Sequence, residues 1–243
     1  MMRTAWFYVV LVLSSIVHAT GVIGAALLGV KRRPGGIYDW GTTDWSRQML
    51  RAAGTPVRVS GLERIPAGPV VYASNHSSMF DIWALAATLP GSVRFVAKQE
   101  LSRIPLVGPA MVTAGHIMID RAHPARALTG YERAADALRS GISAVVFPEG
   151  TRSRTGELLP FKNAPFGLAI AAQTPVVPVY VRDTFAIMPK GRRLLRPRPI
   201  RIEIGDPVST IGMTLEQRRA LRERVRAAVL ELQARVDADA PGR

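Results

Sequence analysis

A histidine and an aspartate five residues apart are the pair best suited to chemistry in this chain. His76 and Asp81 lie in a polar stretch that directly follows the β-branched run 70–74. The carboxyl ends of strands are where open α/β sheets bind ligands. Five positions on one helix differ by about 140°, so the two side chains can meet only if a turn lies at His76 and a helix begins just after it. Asp81 would then accept a hydrogen bond from one ring nitrogen and leave the other as a general base.

No side-chain nucleophile accompanies this pair. The chain contains no cysteine and no G-x-S-x-G turn, which excludes disulfide frameworks, thiol catalysis and Cys-based zinc sites. We predict no metal, and the attacking group would be a hydroxyl of the substrate itself. A purely structural alternative also fits, because Ser78 and Asp81 have the spacing of a helix capping box.

Three further strand ends carry cations. Lys98 ends one β-branched run, Arg121 ends a second, and Arg152 stands in a glycine-containing turn after a third. Arginine binds phosphate bidentately, and Gly150 and Thr151 can add a backbone N–H and a hydroxyl. If these loops converge on one crevice, they form a phosphate pocket. Taken singly, each arginine could equally pair with a neighbouring carboxylate.

Beyond residue 55, strands and helices alternate. This alternation predicts an α/β fold with a largely parallel central sheet flanked by helices. The strands are predicted at 57–59, 70–73, 93–97, 142–147, 176–181 and 200–204, and the helices at 79–89, 102–113, 124–139 and 164–172. A last helix is predicted from the capping box Thr214-x-x-Gln217, with an apolar face of Leu221, Val225, Ala228, Leu232 and Val236.

The N-terminal segment is apolar enough to enter a membrane. No charged residue lies between Arg3 and Lys31, and this run forms a helix roughly 40 Å long, more than the roughly 30 Å of a bilayer core. A signal peptide and a buried core helix are the alternatives. The cations at 31–33 predict that the chain after them is cytoplasmic, which places the catalytic domain on the cytoplasmic face of the cell membrane.

A break at Pro34-Gly35-Gly36 separates the apolar run from a short amphipathic helix predicted at residues 45–51. This second helix would either lie on the membrane surface or pack on the domain. We therefore divide the chain into a membrane-anchoring helical segment, residues 1–55, and an α/β domain, residues 56–243.

The charge balance predicts anionic partners. Against 32 Lys and Arg there are 18 Asp and Glu, a net charge of +14. Residues 190–198 mix cations with leucines, a composition that fits anionic headgroups, an acidic carrier protein or a solvated loop. Nucleic-acid binding is not predicted, because basic and aromatic residues are not interleaved and a membrane segment stands at the start.

Four stretches together resemble, in order and spacing, the motifs of the glycerolipid acyltransferase family. Within it, the pattern is most similar to the bacterial branch that acylates 1-acylglycerol 3-phosphate. One departure is Asn163-Ala164-Pro165, where the family has a small glycine-containing turn; we still expect a helix to start there. The four stretches are Asn75-His76-x4-Asp81, Gly115 to Arg121, Phe147 to Arg152 and Val177-Pro178-Val179.

The resemblance implies that His76, oriented by Asp81, deprotonates the sn-2 hydroxyl of lysophosphatidic acid. That hydroxyl would attack an acyl thioester, on acyl-carrier protein or CoA, without an acyl-enzyme; no further cofactor is implied. Glycerol 3-phosphate, an ornithine lipid or a glycolipid are alternative acceptors, and a non-catalytic anionic-lipid-binding protein is an alternative of another class. The strand at Val177 would line the acyl channel. The implied substrate-binding residues are Asn75, Lys98, Arg121, Glu149, Gly150, Thr151 and Arg152.

Overall fold

One seven-stranded sheet organises the protein, shown here in a computed structural model that describes residues 1–120 and 124–238, with only the backbone of 124–129. Arg121 therefore lies outside the described residues. The strands are β1 (Val57–Ser60), β2 (Val71–Ser74), β3 (Val93–Lys98), β4 (Ile117–Ile119), β5 (Ser143–Val146), β6 (Val176–Arg182) and β7 (Ile200–Ile204). Their order is β1-β7-β6-β2-β5-β3-β4. Along the part of the sheet ordered β6-β2-β5-β3-β4, each strand is parallel to its neighbours, and β7 is antiparallel to β6.

Helices cover both faces of this sheet, because successive side chains of a strand point to opposite sides. Tyr72 of β2 belongs to an apolar cluster with Phe7, Met49 and Phe80, whereas its neighbours Val71 and Ala73 belong to a second cluster with Phe166 and Leu221. This arrangement confirms the predicted α/β fold with a largely parallel sheet. The helices are α1 (Met2–Leu27), α2 (Ile37–Ala53), α3 (Phe80–Thr88), α4 (Val107–Ala114), α5 (Pro124–Arg139), α6 (Ala164–Ala171), α7 (Thr184–Ile187) and α8 (Arg218–Ala238).

The N-terminal apolar helix packs along the domain. Phe7 of α1 is fully buried and contacts the rings of both Phe80 and Trp83 on α3. Further along, His18 Nε2 is 3.0 Å from Asp44 Oδ2 of α2. Among the described residues, α1 alone is long and apolar enough to cross a membrane. Its opposite side exposes a row of large apolar side chains, including Trp6, Val9, Leu13 and Val17.

The second helix is longer than predicted. Of the two alternatives, lying on the membrane surface or packing on the domain, the structure shows the second. It runs over 37–53 rather than 45–51, and it ends at Gly54, which adopts the left-handed conformation (φ +70°) that glycine accommodates at a helix C-terminus. It contacts both α1 and α3. The segment before β1 is thus a helical hairpin laid against the sheet.

Two other helices begin later than predicted. The helix predicted at 102–113 is divided into a 3-10 turn, Gln99–Arg103, and α4 from residue 107, because Pro105 cannot continue a helix. The Thr214-x-x-Gln217 capping box is present, but it caps a 3-10 turn ahead of α8. On the buried face of α8, Val229 takes the place that we expected for Ala228. The helix at Ala164 starts as predicted.

Candidate active site

The carboxyl ends of four parallel strands meet at one edge of the sheet. Because β2 lies between β5 and β6, and β3 pairs with β5, the loops that follow these strands are neighbours in space. His76 follows β2, the 149–152 turn follows β5, Thr184 follows β6, and Lys98 ends β3. The convergence expected from the sequence is therefore observed for the strand ends that carry His76, Lys98 and Arg152, which line one cavity.

The histidine and the aspartate face each other. His76 Nδ1 lies 2.8 Å from Asp81 Oδ2, and α3 begins at Phe80, so that Asp81 is in its first turn as expected. A carboxylate can only accept, so Nδ1 carries the proton and the neutral ring leaves Nε2 with a free lone pair. The Asp81 side chain is fully buried, whereas that of His76 is 13% exposed and lines a cavity. The described residues offer Nε2 no hydrogen-bond partner.

Backbone groups and one hydroxyl hold Asp81 in place. Its Oδ2 also accepts the N–H groups of Ser77 at 2.7 Å and of Ser78 at 2.8 Å. Its Oδ1 accepts the hydroxyl of Thr184, which begins α7 and also lies 3.0 Å from Ser77 Oγ. Thr184 was not predicted from the sequence, because a lone threonine 103 residues from its partner carries no local signal.

A ring stack fixes the plane of the imidazole. The His76 ring lies nearly parallel to Phe147, with centroids 3.9 Å apart and an interplanar angle of 16°. Phe147 follows β5 directly, so the sheet itself sets the position of this ring. The stack and the Asp81 hydrogen bond together leave the imidazole one orientation, with Nε2 toward the cavity.

Two residues for which the family resemblance implied substrate binding are buried beside the site, where they hold its loops in place. Glu149 is buried, and its two carboxylate oxygens accept the backbone N–H groups of His76 at 2.6 Å and Leu159 at 2.9 Å. Asn75 is buried too, and its amide exchanges two hydrogen bonds with the backbone of Val181 at 2.7 and 2.8 Å. Their polar atoms are thus engaged by the protein backbone.

Burial raises the pKa of Glu149 to about 7, although its two backbone hydrogen bonds oppose that rise. The fold consequently favours the protonated carboxyl. Because the folded protein binds this proton more tightly than the unfolded chain does, the proton stabilises the fold. That stabilisation is fully present below the ordinary carboxyl pKa and is lost as the pH rises through about 7.

Cations line the part of the cavity that lies beside His76. Lys98, Arg152 and the Gly150-Thr151 turn line it, and Gly150 adopts φ +75°. Lys190, which the sequence analysis placed only in a basic surface loop, lines it as well, with Nζ 3.1 Å from Thr151 Oγ1. None of the three cations, Lys98, Arg152 or Lys190, forms an ion pair with a carboxylate of the described chain.

The rest of the cavity is apolar. It has a volume of about 390 Å³ and is walled by α1, α2, α3, α4 and β3, through residues that include Ala19, Gly41, Ile82, Ala86, Phe95 and Met111. Val177 and Val179, for which the resemblance implied a place along an acyl channel, do not line this cavity, and both are fully buried in the core. The N-terminal hairpin, rather than β6, supplies much of the wall.

A second histidine on the cavity wall is held neutral. Burial, together with the nearby Arg94 guanidinium, lowers the pKa of His116 to about 3. Its Nδ1 accepts the backbone N–H of Phe95 at 3.1 Å, so the ring belongs to the β3–β4 framework. His116 therefore adds no positive charge to the cavity near neutral pH.

Comparison with known proteins agrees with this geometry. The chain is 33% identical over 73% of its length to a 1-acyl-sn-glycerol-3-phosphate acyltransferase of Cocos nucifera, of which it covers 57%. It is 34% identical over 78% of its length to the human 1-acyl-sn-glycerol-3-phosphate acyltransferase alpha, of which it covers 68%. The chain thus spans less than three-fifths of the coconut protein, as it does of two Limnanthes relatives (58% each).

A solved structure extends the similarity to the whole fold. The LPA acyltransferase PlsC of Thermotoga maritima superposes with a TM-score of 0.82 at 25% identity, over 99% of this chain and 97% of that one. Residues 56–182, which hold both His76 and the 149–152 turn, match the family described as Acyltransferase. By this match and by the close relatives, the chain belongs to the acyltransferase family.

Proposed function

We propose that the protein transfers an acyl group from an acyl thioester to the sn-2 hydroxyl of 1-acylglycerol 3-phosphate, which gives phosphatidic acid. The observation that carries this proposal is the His76–Asp81 pair, whose free Nε2 opens on a cavity that is apolar on one side and cationic on the other. The names of the relatives support the same acceptor. An apolar wall suits acyl chains, and cations suit a phosphate.

The proposed chemistry is a single direct transfer. His76 Nε2 takes the proton of the acceptor hydroxyl while the hydroxyl oxygen attacks the thioester carbonyl, and Asp81 stabilises the imidazolium that forms. The tetrahedral intermediate then expels the thiolate, which receives the same proton from His76. The C–S bond is exchanged for a C–O bond, and free thiol is released. A positioned general base of this kind is typically worth about 10² to 10⁴ in rate.

The surroundings of the two nearby serines support a path without an acyl-enzyme. The Ser77 hydroxyl is bonded to Thr184, and the Ser78 hydroxyl donates to the carbonyl of Met188 at 2.8 Å. Both residues are buried. A serine nucleophile needs its oxygen within hydrogen-bond reach of the base and open to the substrate, and neither serine is open in this way.

The cations at the cavity mouth suit the phosphate of the acceptor. Arg152 can bind two phosphate oxygens through its planar guanidinium, and Lys98 adds a point charge. Family resemblance adds Arg121 to this set. A donor on acyl-carrier protein or CoA needs no resident cofactor, since the thioester itself is the co-substrate.

A direct test is acylation of a panel of acceptors by the purified protein with one labelled acyl thioester. We expect phosphatidic acid from lysophosphatidate, and much slower product from glycerol 3-phosphate, lyso-ornithine lipid or a glycolipid. If the protein binds lysophosphatidate but never consumes thioester, it is a lipid-binding protein rather than an enzyme. Separate reactions with acyl-carrier-protein and CoA thioesters identify the donor.

We propose further that the apolar cavity holds the acyl chain of the thioester. Each CH₂ moved from water into such a site contributes about 0.8 kcal/mol. Met79 and Ala86 both line the cavity, and they lie about 10 Å apart along the axis of α3, Met79 at its start and Ala86 near its end. Since His76 is close to Met79 in the chain, we place Ala86 on the part of the wall that is farther from His76.

Ala86→Phe is therefore expected to shorten the chain that the enzyme accepts. Turnover with long-chain thioesters should fall about tenfold or more, while short-chain thioesters react at close to the wild-type rate. Ala86→Val, which adds less volume, should give a smaller shift in the same direction. The measurement is kcat/KM across thioesters of increasing length. An unchanged length preference in a folded Ala86→Phe protein would contradict this location.

The N-terminal hairpin suggests how the protein meets the membrane. One side of α1 packs on the domain from Phe7 to Ala25, while its other side exposes apolar residues. Both ends of the helix thus stay close to the α/β fold. We propose that α1 lies in one leaflet, with the catalytic domain on the cytoplasmic face. An apolar helix that packs on the domain along one side can bury its other side in one leaflet without spanning the bilayer.

Single cysteines can test this orientation cleanly, because the chain has none of its own. Met2→Cys marks the first residue of α1 and Lys31→Cys a position four residues after its last, and both positions are exposed. We expect a membrane-impermeant thiol reagent to label both from the cytoplasmic side alone. Labelling of the two ends from opposite sides would instead establish a helix that crosses the bilayer.

A further inference from the structure

We propose that Lys190 is an additional substrate-binding residue that contacts the phosphate of the lyso-acceptor, beside Lys98 and Arg152. The inference rests on the proposed function and extends it to a residue for which the sequence analysis predicted only a surface role. Lys190 follows α7, on the loop that leaves β6, and its side chain lines the same cavity as His76.

The position of Lys190 is built into the loop. Gly191 adopts φ +85°, which glycine tolerates at little cost, and the N–H of Arg192 closes a tight turn on the carbonyl of Pro189 at 3.0 Å. Just before the turn, the carbonyl of Met188 accepts the hydroxyl of Ser78 at 2.8 Å. The turn is thus anchored to the segment that also carries His76 and Asp81.

The loop is also tied down after the turn. The N–H of Arg196 donates to the carbonyl of Ile187 at 3.0 Å, and Leu195 is buried in the core. The N–H of Leu195 donates to the hydroxyl of Thr4 on α1 at 3.3 Å. Bonds on both sides of Lys190 therefore fix its backbone, so that only the end of its side chain has to adapt to a ligand.

Charge is the reason to assign an anion to this place. Lys190 Nζ reaches Thr151 Oγ1 at 3.1 Å, which brings it to the turn that carries Arg152. Three cations line one cavity, and no carboxylate of the described residues pairs with any of them. Like charges gathered in this way repel one another, and a bound anion relieves the repulsion. A phosphate offers several oxygens, enough for a lysine, an arginine and the Thr151 hydroxyl together.

The acceptor is the substrate whose phosphate fits this location. Its reacting hydroxyl must reach Nε2 of His76, and in 1-acylglycerol 3-phosphate the sn-2 hydroxyl and the phosphate are on neighbouring carbons. The phosphate must then lie within a few ångströms of the imidazole, at the end of the cavity where Lys98, Arg152 and Lys190 occur. A phosphate on the donor arm is farther from the thioester along the chain.

The test is the kinetics of Lys190→Ala in neutral detergent micelles, which remove any contribution of anionic headgroups. We expect the KM for lysophosphatidate to rise about ten- to hundredfold, as for loss of a charged hydrogen bond, while kcat and the KM for the thioester change little. Lys190→Arg should restore part of the affinity. With a 1-acylglycerol that lacks the phosphate, wild type and Lys190→Ala should differ little.

The control is Arg58→Ala, which removes one exposed cation from edge strand β1, away from the cavity. It should leave kcat, the KM for lysophosphatidate and the KM for the thioester unchanged. An unchanged acceptor KM in Lys190→Ala, or a rise confined to the donor KM, would overturn the proposal. So would an equal rise in Arg192→Ala, because the loop charge as a whole would then be responsible. Wild-type protein that turns over no acceptor would instead refute the proposed function itself.

Discussion

His76→Ala is expected to lower kcat for acyl transfer by about 10²- to 10⁴-fold, the range that a positioned general base supplies. The structure gives the reason: Nε2 of His76 is the basic atom of the dyad that opens on the cavity, since Nδ1 is committed to Asp81 at 2.8 Å. The ring is not needed to complete a core, because it lies at the cavity wall. The measurement is single-turnover transfer with labelled thioester at saturating acceptor.

His76→Asn sharpens this test. Its amide N–H can take the place of Nδ1 and still donate to Asp81, but it offers no base toward the substrate. Both variants should therefore be inactive, while thermal unfolding and vesicle binding stay close to wild type. Turnover retained in a folded His76→Asn protein would eliminate the general-base mechanism and leave substrate positioning as the source of any rate.

Asp81→Asn is expected to cost about 10²- to 10⁴-fold in kcat for a different reason. In the wild type the carboxylate accepts from the ring of His76, from two backbone N–H groups and from the Thr184 hydroxyl. An amide has one accepting oxygen and one donating NH₂, so it cannot accept from all four donors as the carboxylate does. Even where its oxygen still accepts from the imidazole, the neutral amide lacks the negative charge that stabilises the protonated ring.

The same change should also lower stability, because a buried donor left without an acceptor costs about 1–3 kcal/mol. Activity is therefore measured well below the melting temperature of the variant. Thr184→Val is the comparison: it removes one donor to Asp81 and leaves the contact with His76, so we expect a loss of about tenfold or less. If Asp81→Asn folds and turns over at the wild-type rate, the aspartate is a helix cap and nothing more.

His76→Ala and Asp81→Asn together also distinguish an enzyme from a lipid-binding protein. An inactive His76→Ala that still binds lysophosphatidate shows that binding and chemistry reside in different residues of one site. If the wild type turned over no thioester, neither variant could show a loss of activity. The acceptor panel must therefore precede the mutants.

Local pattern was sufficient to predict much of the site. The run of β-branched residues before His76 predicts a strand, and the polar residues after it predict a turn, so the sequence alone indicated that His76 and Asp81 could meet. The same holds for the strands before Lys98 and before Glu149. Parallel strands bring their carboxyl ends to one edge, and that rule placed these residues together without any coordinates.

Other parts of the site depend on contacts that no local pattern records. Thr184 reaches Asp81 across 103 residues and Lys190 reaches Thr151 across 39, so neither has a neighbour in sequence that reveals its role. Glu149 and Asn75 lie within a recognisable motif, yet only the fold shows that their polar atoms bind backbone rather than face the cavity.

The amino-acid sequence by itself determined the α/β order, the His76–Asp81 pair and the apolar character of the first helix, because each follows from spacing within a few residues. Only the tertiary structure decided that the N-terminal hairpin lies against the sheet and walls the cavity, since an apolar helix has the same composition whether it meets lipid, protein or both. The partners that a side chain finds in space depend on strand order and helix packing. Those are properties of the whole chain.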